Sequence, residues 1–298
     1  MALSDVLGPP RYRGKVRDLY EVDGDRLLMV ASDRLSAFDV VMAEPVPGKG
    51  RVLTGITDYW VRRFATVPAA LISCDPAVLE RAVPALAGAE GWAGRAMLVR
   101  RAEMLPLECI VRGRLAGGAY EEYRQRGTVH QDPAPAGLEL TDAFPEPLFT
   151  PSTKAAAGHD QNLSRAEARA LVGAATYEAA AAVCLRLFAQ AAEDLASRGL
   201  VLADTKFELG VLDGELVLCD EVVTPDSSRL WPASAVRRGE VPPSFDKQPF
   251  RDWLDAAGWD RQPPPPPVPA AVIAQTQERY ERAYELVTGS ALTDWYGA

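Results

Sequence analysis

Hydrophobic positions in residues 11–100 come in short runs broken by turn residues, which predicts strands rather than long helices. Lys15–Val22 and Arg26–Ala31 flank Asp23-Gly24, a hairpin signal, and Met97-Leu98-Val99 reads as a short buried strand. A helix is expected from near Thr54, through Ile56, Tyr59, Trp60 and Phe64. Pro106, in Met104-Leu105-Pro106-Leu107, removes a backbone donor and marks a crossing between two lobes. Ser164-Arg165-Ala166-Glu167 is a capping box opening a helical stretch to Arg198, closed by Gly199 and divisible at Gly173. Leu200–Ala203 and Phe207–Cys219 then predict strands around Asp213-Gly214. The prolines 263–267 form a stiff connector to a last helix over Val268–Thr288, docked through Val272, Ile273, Tyr280 and Leu286.

The polar positions of the 204–220 segment carry more than a surface pattern. Asp204, Lys206 and Glu208 alternate, so on a strand they share one face, while Phe207, Leu209 and Val211 need burial on the other. Where Asp220 falls depends on the hairpin loop. A two-residue loop at Asp213-Gly214 puts it on the face opposite Glu208. A three-residue loop, Leu212-Asp213-Gly214, pairs Val211 with Glu215 and returns Asp220 to the face of Glu208. The second register is the expectation here, since it lets two carboxylates hold one hard cation, as magnesium sites do.

Composition sharpens the picture in one respect. The 298-residue chain has 27 arginines and only 5 lysines, and each lysine lies in a dense polar motif: Gly14-Lys15-Val16-Arg17-Asp18, Pro47-Gly48-Lys49-Gly50-Arg51, Pro151-Ser152-Thr153-Lys154, Asp204–Glu208 and Ser244–Gln248. A compact ammonium on a flexible stem suits a phosphate or carboxylate site. The net charge of −9 argues against a nucleic-acid binder and leaves small anionic ligands open. No apolar run reaches the ~20 residues of a membrane span. Cys74, Cys109, Cys184 and Cys219 form no C-x-x-C pair and no metal spacing with His130 or His159, so they read as reduced core thiols. That and the absence of a signal-like N-terminus suggest the cytoplasm.

Several segments can carry chemistry. Gly14-Lys15-Val16-Arg17 before a strand resembles a phosphate-covering β-loop, a weak signal alone. Arg112 and Arg114, followed by Gly117-Gly118, form a candidate anion pocket. Ser228 and Arg229 suit a phosphate or carboxylate, with a plain surface turn as the alternative. His159 reads as structural more readily than catalytic. No Walker-type loop, G-x-S-x-G or H-E-x-x-H occurs.

Taken together, residues 105–118 and Leu202–Gly210 resemble the two signatures of the phosphoribosylaminoimidazole-succinocarboxamide synthase (SAICAR synthetase) family. Tyr12–Tyr20, Ala31–Val41, Gly48–Trp60, Phe149–Asn162, Leu218–Trp231 and Ser244–Leu254 are similar to further stretches of it, in family order. Gly118 stands where the family usually has a phosphate-touching serine, Leu209 replaces a phenylalanine, and Tyr120 a tryptophan. The resemblance implies an α+β, two-lobed fold, with a β-rich lobe over 1–103 and an α+β lobe over 104–298, and ATP in the cleft. It implies ATP-dependent joining of L-aspartate to a carboxylated aminoimidazole ribonucleotide through an acyl phosphate, with magnesium. It places nucleotide contacts at Gly14, Lys15, Val16, Arg17, Glu103 and Met104, and the metal at Glu208 and Asp220. Lys206, Asp204, Lys154 and Arg229 are the implied catalytic residues. Ser36, Asp39, Arg112, Ser228, Arg229 and Lys247 are the implied ribonucleotide contacts. Neither a small-molecule kinase nor a catalytically dead scaffold is excluded by the motifs alone, although the scaffold reading predicts loss of Lys206, Glu208 or Asp220, and all three are present. The sequence gives no sign of oligomeric state.

Overall fold

The computed structural model describes residues 1–64, 66–154 and 160–297; the His159 reading lies outside them. Two antiparallel sheets organise the chain. The smaller one has five strands in the order Tyr12–Arg13, Arg17–Glu21, Arg26–Ala31, Ala96–Arg100 and Leu71–Ser73. Its central strand alternates as a two-faced strand must: Leu28 and Val30 are buried against Tyr20, Leu79, Leu86 and Trp92, while Leu27 and Met29 face a cleft. The hairpin at Asp23-Gly24 forms, pairing Glu21 with Leu27.

The larger sheet is built around one 13-residue strand, Leu200–Leu212, where two separate strands were expected. It pairs with Leu107–Arg114 on one side and Ser228–Pro232 on the other, so that Asp204 lies in register with both Arg112 and Arg229. Further along, it pairs with Glu103–Met104 and Glu215–Cys219. Its apolar face meets the helix Ala174–Ser197, which buries Tyr177, Ala180, Ala181, Cys184, Leu187, Phe188, Ala191 and Leu195, one stripe at helical spacing. The capping box at Ser164 forms, and Gly173, at φ 83°, separates the helix Arg165–Val172 from its successor.

The hairpin after the long strand corrects the expected register. Leu212 pairs with Glu215 and Val211 with Leu216, which leaves the two-residue loop Asp213-Gly214. Both loop residues have positive φ, 54° and 83°. That is the backbone of a type I′ turn, whose twist suits the flanking strands and which Asp-Gly favours. This local preference wins over the bulged three-residue alternative. Glu208 therefore pairs with Cys219, and strict alternation would send Asp220 to the wrong face. Asp220 escapes because it lies one residue beyond the strand at φ 55°, in the left-handed region, and its side chain lines the cleft.

The first long helix covers Lys49–Arg63, beginning five residues before the predicted start, because Gly48 at φ 78° makes the turn into it. It packs on the last helix, Ala270–Thr288, around Ile56, Trp60, Phe64, Tyr280 and Val287. All four cysteines are buried and free. Among the described residues no single helix is long and apolar enough to cross a membrane.

Candidate functional site

A cleft of about 1350 Å³ is lined by both sheets. Leu27, Met29, Met97 and Val99 of the small sheet make an apolar roof; Met104, Glu108, Lys206 and Glu208 of the large sheet lie across from it. A flat aromatic group fits such an apolar end, with backbone groups at its edge.

The turn from Gly14 to Arg17 hangs over this end. Gly14 N–H donates to the Arg17 carbonyl at 2.7 Å, and a Cβ on Gly14 would stand 2.9 Å from that same oxygen, so the turn closes only with glycine. Arg34 braces it from behind, donating to the Gly14 carbonyl at 3.0 Å and to both Asp18 oxygens. Lys15 reaches Asp39. Arg17 crosses the cleft to Asp220, at 3.1 Å, and Glu221, at 2.9 Å.

Below the turn the expected alternation appears as geometry. Lys206 Nζ donates to Glu108 Oε1 at 2.6 Å and lies 3.5 Å from Glu208 Oε1, while Lys154 contacts the other Glu208 oxygen. Burial pushes the Glu208 carboxyl up, but Lys206 and Lys154 outweigh it and hold it below its ordinary range. Burial lowers the Lys206 ammonium, and Glu208 and Glu108 more than restore it. Asp220 differs. Burial raises it to about 6, Arg17 opposing and the charges of Glu208 and Glu221 adding to the rise. This corner gathers four carboxylates, Glu108, Glu208, Asp220 and Glu221, around three cations, Arg17, Lys154 and Lys206. Two hard carboxylates in such a field suit magnesium. No three His, Cys, Asp or Glu side chains among the described residues group as metal ligands, so the remaining ligands would be nucleotide oxygens and water, as magnesium accepts.

The other end of the cleft continues into a recess of about 130 Å³ lined by Asp204, Ser228, Arg229, Asp246, Lys247 and Arg251, among others. Asp204 Oδ2 accepts from Arg229 NH1 at 2.5 Å and from Arg112 NH1 at 2.8 Å. Arg112 is buried behind this wall. Its Nε donates to Thr150 at 3.1 Å and its NH2 to His130 Nε2 at 3.0 Å. His130 Nδ1 in turn donates to the Pro151 carbonyl at 3.0 Å. Burial first, and the Arg112 charge second, lower His130 to about 4, so the ring is neutral. Arg229 also packs on the glycine turn: a Cβ on Gly117 would meet its NH2 at 2.1 Å.

Of the residues singled out from sequence, the cleft gathers Gly14, Lys15, Val16, Arg17, Ser36, Asp39, Met104, Lys154, Lys206, Glu208, Asp220, Arg229 and Lys247. Asp204 and Ser228 line the recess, and Ser228 shares a 2.7 Å hydrogen bond with Thr205. Glu103 lies on the strand of Met104 with its side chain exposed, and Arg112 stands one layer back. Glu221, which anchors Arg17, and Asp226, which binds Lys49, Lys247 and Tyr280, lie in a stretch that stands out in the sequence, but neither has a role assigned there. Asp226 stands two residues before the Ser228-Arg229 pair already singled out, and Lys49 is one of only five lysines. Tyr280 reads only as a core position, since helical spacing says nothing about its hydroxyl.

Comparison with known proteins gives a consistent result. The SAICAR synthetase family model matches residues 10–266. A phosphoribosylaminoimidazole-succinocarboxamide synthase from Chromobacterium violaceum is 48% identical over 281 residues, 93% of this chain and 98% of that one. A SAICAR synthase from Saccharomyces cerevisiae, solved with SAICAR, superposes with a TM-score of 0.87 at 38% identity, covering 98% of each chain. A SAICAR synthetase solved with ADP shares the fold at 23% identity, with a TM-score of 0.68 over 94% of this chain and 98% of that one.

Proposed function

Because the chain belongs to the SAICAR synthetase family, we propose that it is the ATP-dependent carbon–nitrogen ligase of purine biosynthesis that joins L-aspartate to 5-amino-1-(5-phospho-D-ribosyl)imidazole-4-carboxylate (CAIR), giving SAICAR, ADP and phosphate. The observation that carries this reading beyond the family is a single cleft with an apolar end, a cationic turn over two carboxylates, and a second cationic end. The two ends suit a nucleotide and a ribonucleotide, with the reacting carboxylate between them.

A carboxylate is a poor acyl donor, so amide formation needs its oxygen phosphorylated first. The CAIR carboxylate oxygen attacks the γ-phosphorus and ADP leaves. The aspartate amine then adds to the acyl carbon, and phosphate departs with the oxygen it received. Phosphoryl transfer asks the protein for positioning and charge more than for covalent chemistry. That fits a cleft whose polar lining is dominated by Lys, Arg, Asp and Glu side chains.

The chain's residues divide the work as follows. The 1–103 and 104–298 segments act as covering and substrate lobes. The adenine enters under Leu27, Met29, Met97 and Val99, against Met104 and the backbone of Glu103. The turn Gly14, Lys15, Val16 and Arg17 covers the phosphates. Glu208 and Asp220 would hold magnesium, which when bound neutralises the phosphate oxygens. Arg17 and Lys154, which now pair with these carboxylates, exchange them for phosphate oxygens. Lys206, kept charged by Glu108 and Glu208, faces the charge that develops on the transferred group. Asp204 orients Arg229, with Arg112 bracing it, and Ser228, Lys247, Ser36 and Asp39 complete the ribonucleotide end. A coupled assay that omits each substrate in turn tests the reading: ADP release over many turnovers should require ATP, CAIR and L-aspartate together. Release with CAIR replaced by a hydroxyl acceptor would favour a kinase instead.

A further inference from the structure

Two carboxylates at the ribonucleotide end share one unusual arrangement. Asp204 Oδ2 takes a guanidinium from the cleft side, Arg229, and another from behind, Arg112. Asp226 Oδ2 likewise takes an ammonium from the cleft side, Lys247 at 2.9 Å, and another from behind, Lys49 at 2.7 Å. Lys49 is 0% exposed, at the start of the helix Lys49–Arg63, and it does not reach the cleft. The second Asp226 oxygen accepts from the Tyr280 hydroxyl at 2.5 Å, and that ring is 1% exposed and lies beneath the Lys49 ammonium at 5.8 Å. Three separate segments therefore converge on one aspartate. A buried lysine is costly to hold, and neither the hydrophobic core nor the nucleotide end uses this one.

Charge counting gives it a purpose. With Lys247 alone, Asp226 would form a neutral pair, and the cleft wall would offer an incoming anion little. With Lys49 behind it, the carboxylate is already balanced, and the wall keeps a net positive charge: Arg112, Arg229, Arg251, Lys49 and Lys247 stand against Asp204, Asp226 and Asp246. We propose that Lys49 and Tyr280 are positioning residues for the ribonucleotide: acting through Asp226, they fix Lys247 and leave its positive charge free for an anionic group of the substrate. This rests on the reading of the cleft given above and adds two residues to it that touch no substrate. The Asp226 carboxyl is raised by burial, yet Lys247, Lys49 and the hydrogen bonds from Lys49 and Tyr280 overcome this and hold it ionised, as the arrangement requires.

The test compares Lys49→Met, Lys49→Arg and Tyr280→Phe with the parent enzyme by steady-state kinetics in each substrate. Activity of the parent with ATP, CAIR and L-aspartate establishes the underlying reading first, so its failure is seen separately. Lys49→Met should raise the KM for CAIR about tenfold, the factor that about 1.4 kcal/mol of lost attraction gives, with the KM for ATP within about twofold. Its CAIR KM should also respond less steeply to added salt, since one cation is gone. Lys49→Arg should recover most of the affinity. Tyr280→Phe removes one hydroxyl and little volume; it should raise the CAIR KM about threefold, and it carries the test should Lys49→Met not fold. Overturning results are an unchanged CAIR KM in folded Lys49→Met or Tyr280→Phe, or a rise in the ATP and CAIR constants by the same factor, which marks general loosening.

Discussion

Replacing Asp204 by asparagine keeps the shape of the side chain and removes its charge. The wild-type carboxylate oxygen holds Arg112 at 2.8 Å and Arg229 at 2.5 Å. Two guanidinium nitrogens on one oxygen cannot be more than about 5 Å apart, and at an effective dielectric of about 20 they repel by about 3 kcal/mol. In the variant nothing on that oxygen offsets this, and Arg112 is buried where water cannot. Loss of one partner from buried ion pairs costs about 3–5 kcal/mol, the same range. The variant should therefore unfold in urea with about 3 kcal/mol less stability. The two freed cations should also bind an anion, so millimolar sulfate should restore more stability to the variant than to the parent. Urea unfolding followed by tryptophan fluorescence, with and without sulfate, reads both. A loss under about 1 kcal/mol, or equal sulfate effects, would refute the claim that Asp204 is the shared counter-ion of this wall.

The adjacent glycines should behave oppositely. Gly117→Ala places a methyl against Arg229 at φ 55°, so it should cost about 1–2 kcal/mol of stability and raise the CAIR KM; a neutral effect would contradict the packing. Gly118 has open space beside its Cβ position and lines the cleft, so Gly118→Ser should be tolerated and, by adding about 1 kcal/mol of hydrogen bonding, lower the CAIR KM about fivefold. His130 has a folded-state pKa lowered from 6.5 to about 4. Its contribution is present above pH 6.5 and lost as pH falls toward 4, because the unfolded chain takes the proton first. Between pH 7 and pH 5 the parent should lose about 2 kcal/mol through this group, and urea titrations of His130→Gln should show a correspondingly shallower fall. Glu208→Ala or Asp220→Ala should cut turnover roughly 100-fold; near-normal turnover at saturating magnesium would remove both from metal binding.

The sequence was most informative where local chemistry and tertiary demand coincide. Alternation put Asp204, Lys206 and Glu208 on one face, and the Ser164 capping box and Gly173 marked the helix boundaries that form. The hairpin shows the opposite case. A shared cation site for Glu208 and Asp220 predicts three loop residues, but Asp213-Gly214 follows its own turn preference, and the left-handed backbone at Asp220 does the joining instead. No periodicity reveals a single positive φ. Nor could Lys49, Asp226, Lys247 and Tyr280 be linked from spacing, since they meet only when two helices and two loops pack. The scarcity of lysine marked two of them: four lysines line the cleft, Lys247 among them, and the fifth, Lys49, holds an aspartate that does.

The most direct test of the account follows an oxygen atom. CAIR labelled with oxygen-18 in its carboxylate, turned over with ATP and L-aspartate, should pass one labelled oxygen to each inorganic phosphate and keep the other in the new amide. Phosphate free of label would mean that the carboxylate is never phosphorylated in this cleft.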